Sequence, residues 1–230
     1  MGRWLLLAGL LIIGGSLIGV WRGWLDVPPR WNPWAPLDVQ ATPNWLTGYK
    51  LMRLRSDPLL CEQALGSSGL RVSPQADSPD AKCPLIGALR VQGGGVGLSS
   101  SFLASCPLAV AFAMFERHTL QPAAQRAYGQ PVARVDHLGS FACRNVYNRE
   151  NGALSRHASA DALDIAGFRL ADGRAISVLK DWPKQNQDAQ FLRQVRDGAC
   201  ESFSVVLSPD YNAAHRNHFH VDVGRWSVCR

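Results

Sequence analysis

Hydrophobic residues form one unbroken run at the start of the chain and short periodic stretches after it. The run from Trp4 to Trp21 carries no charge and is about as long as a bilayer core requires. Tryptophans stand at both of its edges, where indole rings favour lipid headgroups. A signal peptide usually has a shorter apolar core and a small-residue cleavage site, which the following WRGWLDVPP does not offer. We therefore expect residues 1–23 to form an uncleaved membrane anchor, with a cleaved export signal as the alternative.

A stretch rich in proline and tryptophan follows the apolar run. Proline fixes φ and removes a backbone donor, so residues 24–48 should run extended rather than form a helix. We interpret this stretch as a spacer, or as a strap lying over the domain. The compact domain would then occupy residues 49–230.

Periodicity inside the domain alternates between helical and extended spacing. Helices are predicted from Asp57 to Leu65, from Cys106-Pro107 onward and from Asp188 to Cys200, with Pro122 kinking the second or starting another. Strands are predicted over residues 85–96, 131–138, 161–170, 174–179, 202–207 and 218–223. This order indicates an α+β fold, in which a small, mostly antiparallel sheet has flanking helices.

The net charge of the chain limits the classes of partner that we expect for the protein. The formal net charge of +6 suggests anionic partners such as a membrane surface, a cell-wall polymer or nucleic acid. The basic residues are scattered singly, and no Lys/Arg run is interleaved with aromatic residues as a nucleic-acid groove requires. We therefore expect no nucleic-acid partner, and we leave the oligomeric state open.

The cysteines indicate an oxidising compartment. All six lie beyond the apolar run, and an even number in an exported chain predicts a disulfide framework. Sequence alone does not choose among the possible connectivities; our working pairs are Cys61–Cys83 and Cys200–Cys229. With residues 1–23 as a single-pass anchor in the cytoplasmic membrane, the oxidising compartment implies that the C-terminal domain lies outside the cytoplasm.

Histidines and one carboxylate provide the candidate chemistry. His157 lies seven residues before Asp164, and His215, His218 and His220 lie together near the C-terminus. Side chains two apart in a strand share a face, so pairing of the two strands would bring His157, Asp164 and His220 around one ion with a position left for water. The alternative is that the C-terminal histidines are ordinary solvent-exposed side chains on a polar strand face. However, Asp164 stands in the apolar stretch LDIAGF, where an unpartnered carboxylate is costly.

The first histidine segment carries a family resemblance. Ser155-x-His157-x-x-Ala160-x-Ala162-x-Asp164 resembles the S-x-H-x-x-G-x-A-x-D pattern of the LAS zinc peptidases (lysostaphin, D-alanyl-D-alanine carboxypeptidases and hedgehog-like domains), with Ala160 in place of the usual glycine. The resemblance implies a LAS-type fold and a Zn²⁺ cofactor held by His157, Asp164 and His220.

The second segment refines this resemblance. Carboxypeptidases of the group carry an acidic base three residues before the last ligand, where this chain has Asn217. The spacing His215-x-x-His218-x-His220 is instead similar to that of penicillin-insensitive murein endopeptidases. The longer stretch from Ser140 to the C-terminus resembles the bacterial extensin-like C-terminal domain family.

Roles for the neighbouring residues follow from their chemistry. His218 is the candidate general base, or it only orients water. His215 would stabilise the oxyanion or hold His218 in position. Arg144 would bind a substrate carboxylate or the oxyanion, unless it is a surface arginine. Asp222, on the same strand face as His220, would orient a ligand histidine or lie on the surface.

These features together predict a membrane-anchored zinc metallopeptidase that acts on peptidoglycan peptide cross-links. A non-catalytic, metal-containing wall-binding module is the second hypothesis, which the absence of an acidic base at Asn217 favours. A carboxypeptidase that releases D-Ala is the third, and it differs only in the bond that is cut.

Overall fold

The computed structural model describes residues 2–230. The chain begins with helix α1 (Gly2–Trp21), which has a mean hydropathy of 2.1 and is long and apolar enough to cross a membrane. Membrane anchors and export signals share these properties. The rest of the chain has the α+β architecture that the sequence predicts, with mostly antiparallel sheets.

Short helices and strands alternate after α1. The further helices are α2 (Thr47–Arg53), α3 (Pro58–Gly66), α4 (Cys106–Phe115), α5 (Gln121–Tyr128), α6 (Val178–Asp181) and α7 (Gln187–Ala199). The strands are β1 (Arg71–Pro74), β2 (Leu89–Gly93), β3 (Gly97–Leu98), β4 (Phe102–Ala104), β5 (Val132–Gly139), β6 (Ala162–Leu170), β7 (Ala175–Ser177), β8 (Val205–Leu207), β9 (Phe219–Asp222) and β10 (Val228–Cys229).

The strands form two sheets. The larger, of seven strands, has the order β10-β8-β9-β6-β5-β3, with β7 also paired to β6, and the smaller has the order β1-β2-β4. Pairing is antiparallel except between β10 and β8 and between β3 and β5. The long strand β6 therefore lies at the centre of the larger sheet, between β5 and β9.

One face of the larger sheet packs against the helices. On β6, Leu163 and Ile165 are fully buried, and on β9 Phe219 and Val221 are buried on the same side. The alternation of strand side chains places Asp164 and His220 on the opposite face. The core thus fixes the register that carries the polar site, because a slip of one residue would bury the polar side chains instead.

Helix α4 lies in the centre of the core. Ser105 caps its start by accepting a hydrogen bond from the backbone N–H of Leu108, and Pro107 occupies the first turn. The helix does not end before Pro122: a π-helical turn at Glu116–Leu120 joins it to α5, which has Pro122 in its first turn. The predicted interruption is therefore a wide turn within a continuous helical segment.

Residues 24–48, here called the strap, lie against the domain. Val39 is fully buried in a cluster with side chains of α3 and α4. Its N–H donates to Ser67 Oγ at 2.9 Å, and its carbonyl accepts from Nε2 of His118 at 2.8 Å. The ammonium of Lys50 donates to the carbonyl of Pro29 at 2.7 Å. The strap therefore shares its buried residues with the helices of the domain.

Several predicted strands are shorter in the structure. Of residues 85–96, only Leu89–Gly93 forms strand β2. The stretch 174–179 ends as a strand at Ser177, because Asp181 Oδ2 accepts the Ser177 N–H at 2.7 Å and α6 begins at the next residue. The stretch 202–207 becomes a strand only at Val205. Strand β9 begins at Phe219, so His218 lies just before it rather than within it.

Three disulfides link the domain. The predicted pair Cys200–Cys229 is confirmed. The predicted pair Cys61–Cys83 is wrong, since Cys61 bonds to Cys106 and Cys83 bonds to Cys143. The reason is packing: Cys61 lies on the buried face of α3, which contacts α4 where Cys106 begins that helix.

Candidate metal centre

Strands β6 and β9 bring one carboxylate and one imidazole face to face. Asp164 and His220 are direct partners across the antiparallel pair, where opposed side chains lie within contact distance. The Nδ1 atom of His220 is 3.0 Å from Asp164 Oδ1. The pairing of the two strands therefore places two candidate ligands together without help from a loop.

The third candidate ligand, His157, comes from a 3-10 turn, Arg156–Ser159, that leads into β6. Ser155 Oγ accepts the His157 N–H and caps the turn, which ends at Ala160 with a φ of 53°. This left-handed conformation is the one that glycine favours, so Ala160 adopts a backbone suited to the residue that it replaces. The turn directs Nε2 of His157 to 3.2 Å from Asp164 Oδ1 and 3.1 Å from His220 Nδ1.

Second contacts decide which nitrogen of each histidine faces this point. The Nδ1 atom of His157 lies 3.0 Å from the carbonyl oxygen of Ser140, and Nε2 of His220 lies 3.3 Å from Asp222 Oδ2. A carbonyl and a carboxylate only accept hydrogen bonds, so both of these nitrogens carry the proton. In the neutral rings, the opposite nitrogens then turn their lone pairs toward Asp164.

The three converging atoms, here called the donor triad, suit a divalent metal ion. Nitrogen and carboxylate oxygen are the usual zinc ligands, and donors about 2.1 Å from a tetrahedral ion lie about 3.4 Å apart. The triad of His157, Asp164 and His220 has separations of 3.0–3.2 Å. Two lone pairs and a carboxylate at this distance repel one another unless a cation lies among them. The donor set therefore fits Zn²⁺.

Burial and hydrogen bonding shift the pKa values of two residues of the triad, Asp164 and His220. Burial alone would raise the pKa of Asp164, but its hydrogen bonds with His157 and His220 hold that pKa well below its ordinary value. Burial opposes charge on His220, yet its hydrogen bonds to Asp164 and Asp222 raise its pKa to about 9. A proton on His220 thus balances the charge of Asp164, and a metal ion bound at this point would have to displace that proton.

Two further histidines lie beside the triad. Nε2 of His218 is 3.4 Å from Asp164 Oδ1, and its Nδ1 is 2.9 Å from Asn217 Oδ1. Burial lowers the pKa of His218, although the charge of Asp164 opposes this effect. Burial and the neighbouring His220 and His218 lower the pKa of His215 to about 4. Both side chains are therefore neutral near pH 7.

A cleft of about 320 Å³ opens over the donor triad. It brings together all the residues that the sequence singles out, since Arg144, His215, His218 and Asp222 line it with the triad. Asp222 is buried and bonded to His220 rather than exposed on the surface. The other two histidines bind backbone carbonyls elsewhere, His118 that of Val39 and His137 that of Ser100.

Sequence reasoning missed two aromatic residues of the cleft. Tyr147 and Tyr211 both line it, and each is partly exposed. Tyr147 adopts a positive φ of 54°, which is rare for an aromatic residue. No local pattern marks either tyrosine; the only available signal is that Tyr147 follows Arg144 closely and that Tyr211 precedes the His215 segment.

Comparison with known proteins assigns the chain to a family. A family model described as the extensin-like protein C-terminus matches residues 59–230, well over half of the chain. The matched range contains the donor triad and every residue that lines the cleft. No curated protein and no solved structure matches the chain. The chain belongs to the extensin-like protein C-terminus family.

Proposed function

We propose that the domain is a zinc-dependent peptidase that cleaves peptidoglycan peptide cross-links on the outer side of the cytoplasmic membrane. The observation that carries this proposal is the donor triad: His157 Nε2, His220 Nδ1 and Asp164 Oδ1 meet within 3.0–3.2 Å at an open cleft. Three protein ligands with an open position are typical of catalytic rather than structural zinc sites. The motif from Ser155 to Asp164, similar to that of the LAS zinc peptidases, supports the same assignment.

The cofactor would be held by His157, Asp164 and His220. The chemistry that zinc supplies in such a site is acidification of water and polarisation of a carbonyl group. His218 is placed to handle the proton. Its Nδ1–H donates to Asn217 Oδ1, which leaves Nε2 unprotonated beside Asp164. His218 would accept the proton of the attacking water and pass it to the leaving nitrogen.

Asn217 has a defined part in this arrangement. It stands where carboxypeptidases of the LAS group carry an acidic base, and its amide oxygen lies 2.9 Å from His218 Nδ1. We infer that the residue fixes the tautomer of His218 and that the base function has passed to the imidazole. A neutral imidazole near pH 7 has a suitable pKa for that function.

Several features support a wall peptide as substrate. Stem peptides carry free carboxylates, and the guanidinium of Arg144 lines the cleft, where its planar fork suits a carboxylate. The net charge of +6 favours an anionic polymer. We infer that α1 anchors the domain to the cytoplasmic membrane. The domain would lie on the outer side of that membrane, with the N-terminus in the cytoplasm, because three disulfides require an oxidising compartment.

Digestion of purified peptidoglycan tests this proposal. We expect the zinc-loaded full chain to separate cross-linked muropeptides and to lose this activity on chelation and in His218→Ala. The matched control is His118→Ala, which removes an imidazole that lies outside the cleft and binds Val39. Zinc-loaded, folded protein that leaves every cross-link intact would overturn the peptidase proposal.

A second candidate function is a non-catalytic wall-binding module in which the ion serves structure or docking. The observation that favours it is Asn217, which leaves the site without the acidic base of related carboxypeptidases. Binding of stem peptides without cleavage would support this module. The third reading, carboxypeptidase activity, predicts release of free D-Ala instead of separation of cross-linked fragments.

A further inference from the structure

The side chain of Asn212 links the two walls of the cleft in a fixed orientation. Its Oδ1 accepts the backbone N–H of Ala214 at 3.0 Å. A backbone N–H can only donate a hydrogen bond, so the atom that faces it must be the amide oxygen. The same oxygen lies 2.8 Å from Nδ1 of His215. Because Oδ1 is committed as an acceptor, the amide nitrogen must face the opposite wall, where Nδ2 lies 2.9 Å from the hydroxyl of Tyr147.

This orientation determines where the hydroxyl hydrogen of Tyr147 can point. An amide nitrogen only donates, so the Tyr147 oxygen accepts the hydrogen bond from Asn212. The O–H hydrogen of Tyr147 is therefore not used in that contact. Tyr147 lines the cleft with the donor triad and is 47% exposed, so this hydrogen is available to a molecule bound in the cleft.

His215 has the opposite polarity. Since Asn212 Oδ1 accepts hydrogen bonds, Nδ1 of His215 is the donor, and its hydrogen is engaged in that contact. This hydrogen is therefore not available to a developing oxyanion. The hydroxyl hydrogen of Tyr147, which the contact with Asn212 leaves unused, is a donor that can take the oxyanion role.

We propose that Tyr147 is a further catalytic residue, which donates its hydroxyl hydrogen to the carbonyl oxygen of the scissile peptide bond. The inference rests on the proposed peptidase function. As the water oxygen bonds to the carbonyl carbon, the C=O electron pair moves to the oxygen, which Tyr147 stabilises. The pair then returns, the C–N bond breaks, and the nitrogen leaves with the proton that His218 carried.

The local backbone supports a functional placement of Tyr147. Both Tyr147 and Asn148 have positive φ, 54° and 55°, a backbone conformation that is strained for residues other than glycine. The loop is held by the pairing of Asn145 with Leu154 and by the hydrogen bond from Ser155 N–H to the Arg144 carbonyl. Strain retained in a braced loop is typical of residues that are positioned for a ligand.

The test compares Tyr147→Phe with Tyr49→Phe. The first removes only the hydroxyl and keeps the ring that contacts Arg149, and the second removes the same group from an exposed tyrosine outside the cleft. Each zinc-loaded full chain is assayed on a cross-linked muropeptide and titrated with a phosphinate analogue of the same peptide, whose oxygens resemble the oxyanion. Bound zinc is measured as well.

For Tyr147→Phe we expect kcat to fall about 10- to 100-fold with little change in KM, and phosphinate affinity to fall by a similar factor. Zinc content should stay at the wild-type level, and Tyr49→Phe should match the wild type in all three measurements. Wild-type kcat and phosphinate affinity in Tyr147→Phe would overturn the role of Tyr147 while the peptidase proposal stands. A wild-type protein that neither cleaves the muropeptide nor binds the phosphinate would overturn both.

Discussion

The Nε2 atom of His220 lies 3.3 Å from Oδ2 of Asp222, and this contact turns the other nitrogen of His220 toward Asp164. Asp222→Asn would replace the acceptor by an amide that can donate to Nε2, which moves the proton to the nitrogen that faces the triad. We expect zinc affinity to fall about 10- to 100-fold. Titration against a chromophoric zinc chelator measures this change.

The fold should survive this substitution. Asp222 Oδ1 accepts the Gly224 N–H at 2.7 Å, and the amide oxygen of asparagine can keep that bond. Glu62→Gln, the same change at an exposed site on α3, serves as the control and should leave affinity unaltered. Equal zinc affinities for Asp222→Asn and the control would show that Asp222 does not orient His220.

The stability of the metal-free protein should depend on pH through the triad. The pKa of His220 is raised to about 9, so its stabilising contribution is fully present below about pH 6.5 and is lost as pH rises through 9. The pKa of Asp164 is lowered, so its contribution is present above about pH 4 and is lost on acidification. We expect a loss on the order of 3 kcal/mol between pH 6.5 and pH 10.

Urea unfolding with a chelator present, repeated across this pH range, measures the effect. His220→Ala is the reference, since it lacks the titrating group and should show a much flatter alkaline limb. A wild-type alkaline limb that matches that of His220→Ala would argue against the charge distribution described for the triad.

Two of the disulfides should differ in their effect on zinc binding. Cys83–Cys143 closes a separation of 60 residues and ends next to Arg144, near the Ser140 carbonyl that orients His157. We expect its removal by alanine substitution to cost about 2–5 kcal/mol and also to weaken zinc binding. The segment of sequence separation 29 that Cys200–Cys229 closes carries His220, but neither cysteine lines the cleft, so we expect removal of this disulfide to lower stability while zinc affinity stays near the wild-type value. Thermal unfolding and zinc titration of both variants provide the comparison.

The strap should contribute to the stability of the domain. Val39 is fully buried between α3 and α4, so Val39→Ala should lower the free energy of unfolding by about 2 kcal/mol. Trp45→Ala is the control, because that side chain is 79% exposed and surface changes usually stay within about 0.5 kcal/mol. Equal stability of the two variants would mean that the strap is dispensable.

The spacing of residues in the sequence was sufficient to predict that the candidate ligands lie close together. Asp164 stands in an apolar strand, and His220 stands two residues after another histidine in a second strand, so pairing of the two faces follows from alternation. The structure places them as direct cross-strand partners. The buried side chains on the other face fix the register, and they are equally visible as an alternating pattern in the sequence.

Contacts between distant segments of the chain could not be predicted from sequence patterns. The hydrogen bond between Tyr147 and Asn212 spans 65 residues, and no periodicity marks either partner. Cys61 bonds to Cys106 rather than to Cys83 because α3 packs on α4. The continuation of α4 through a π turn likewise depends on buried packing around Leu120 rather than on local propensity.

The position of zinc in a crystal of the metal-loaded protein tests the central claim most directly. Anomalous scattering at the zinc edge should locate one ion about 2.0–2.2 Å from His157 Nε2, Asp164 Oδ1 and His220 Nδ1, with its remaining side toward the cleft. An ion bound elsewhere, or the absence of zinc from the triad at saturating metal, would contradict the account.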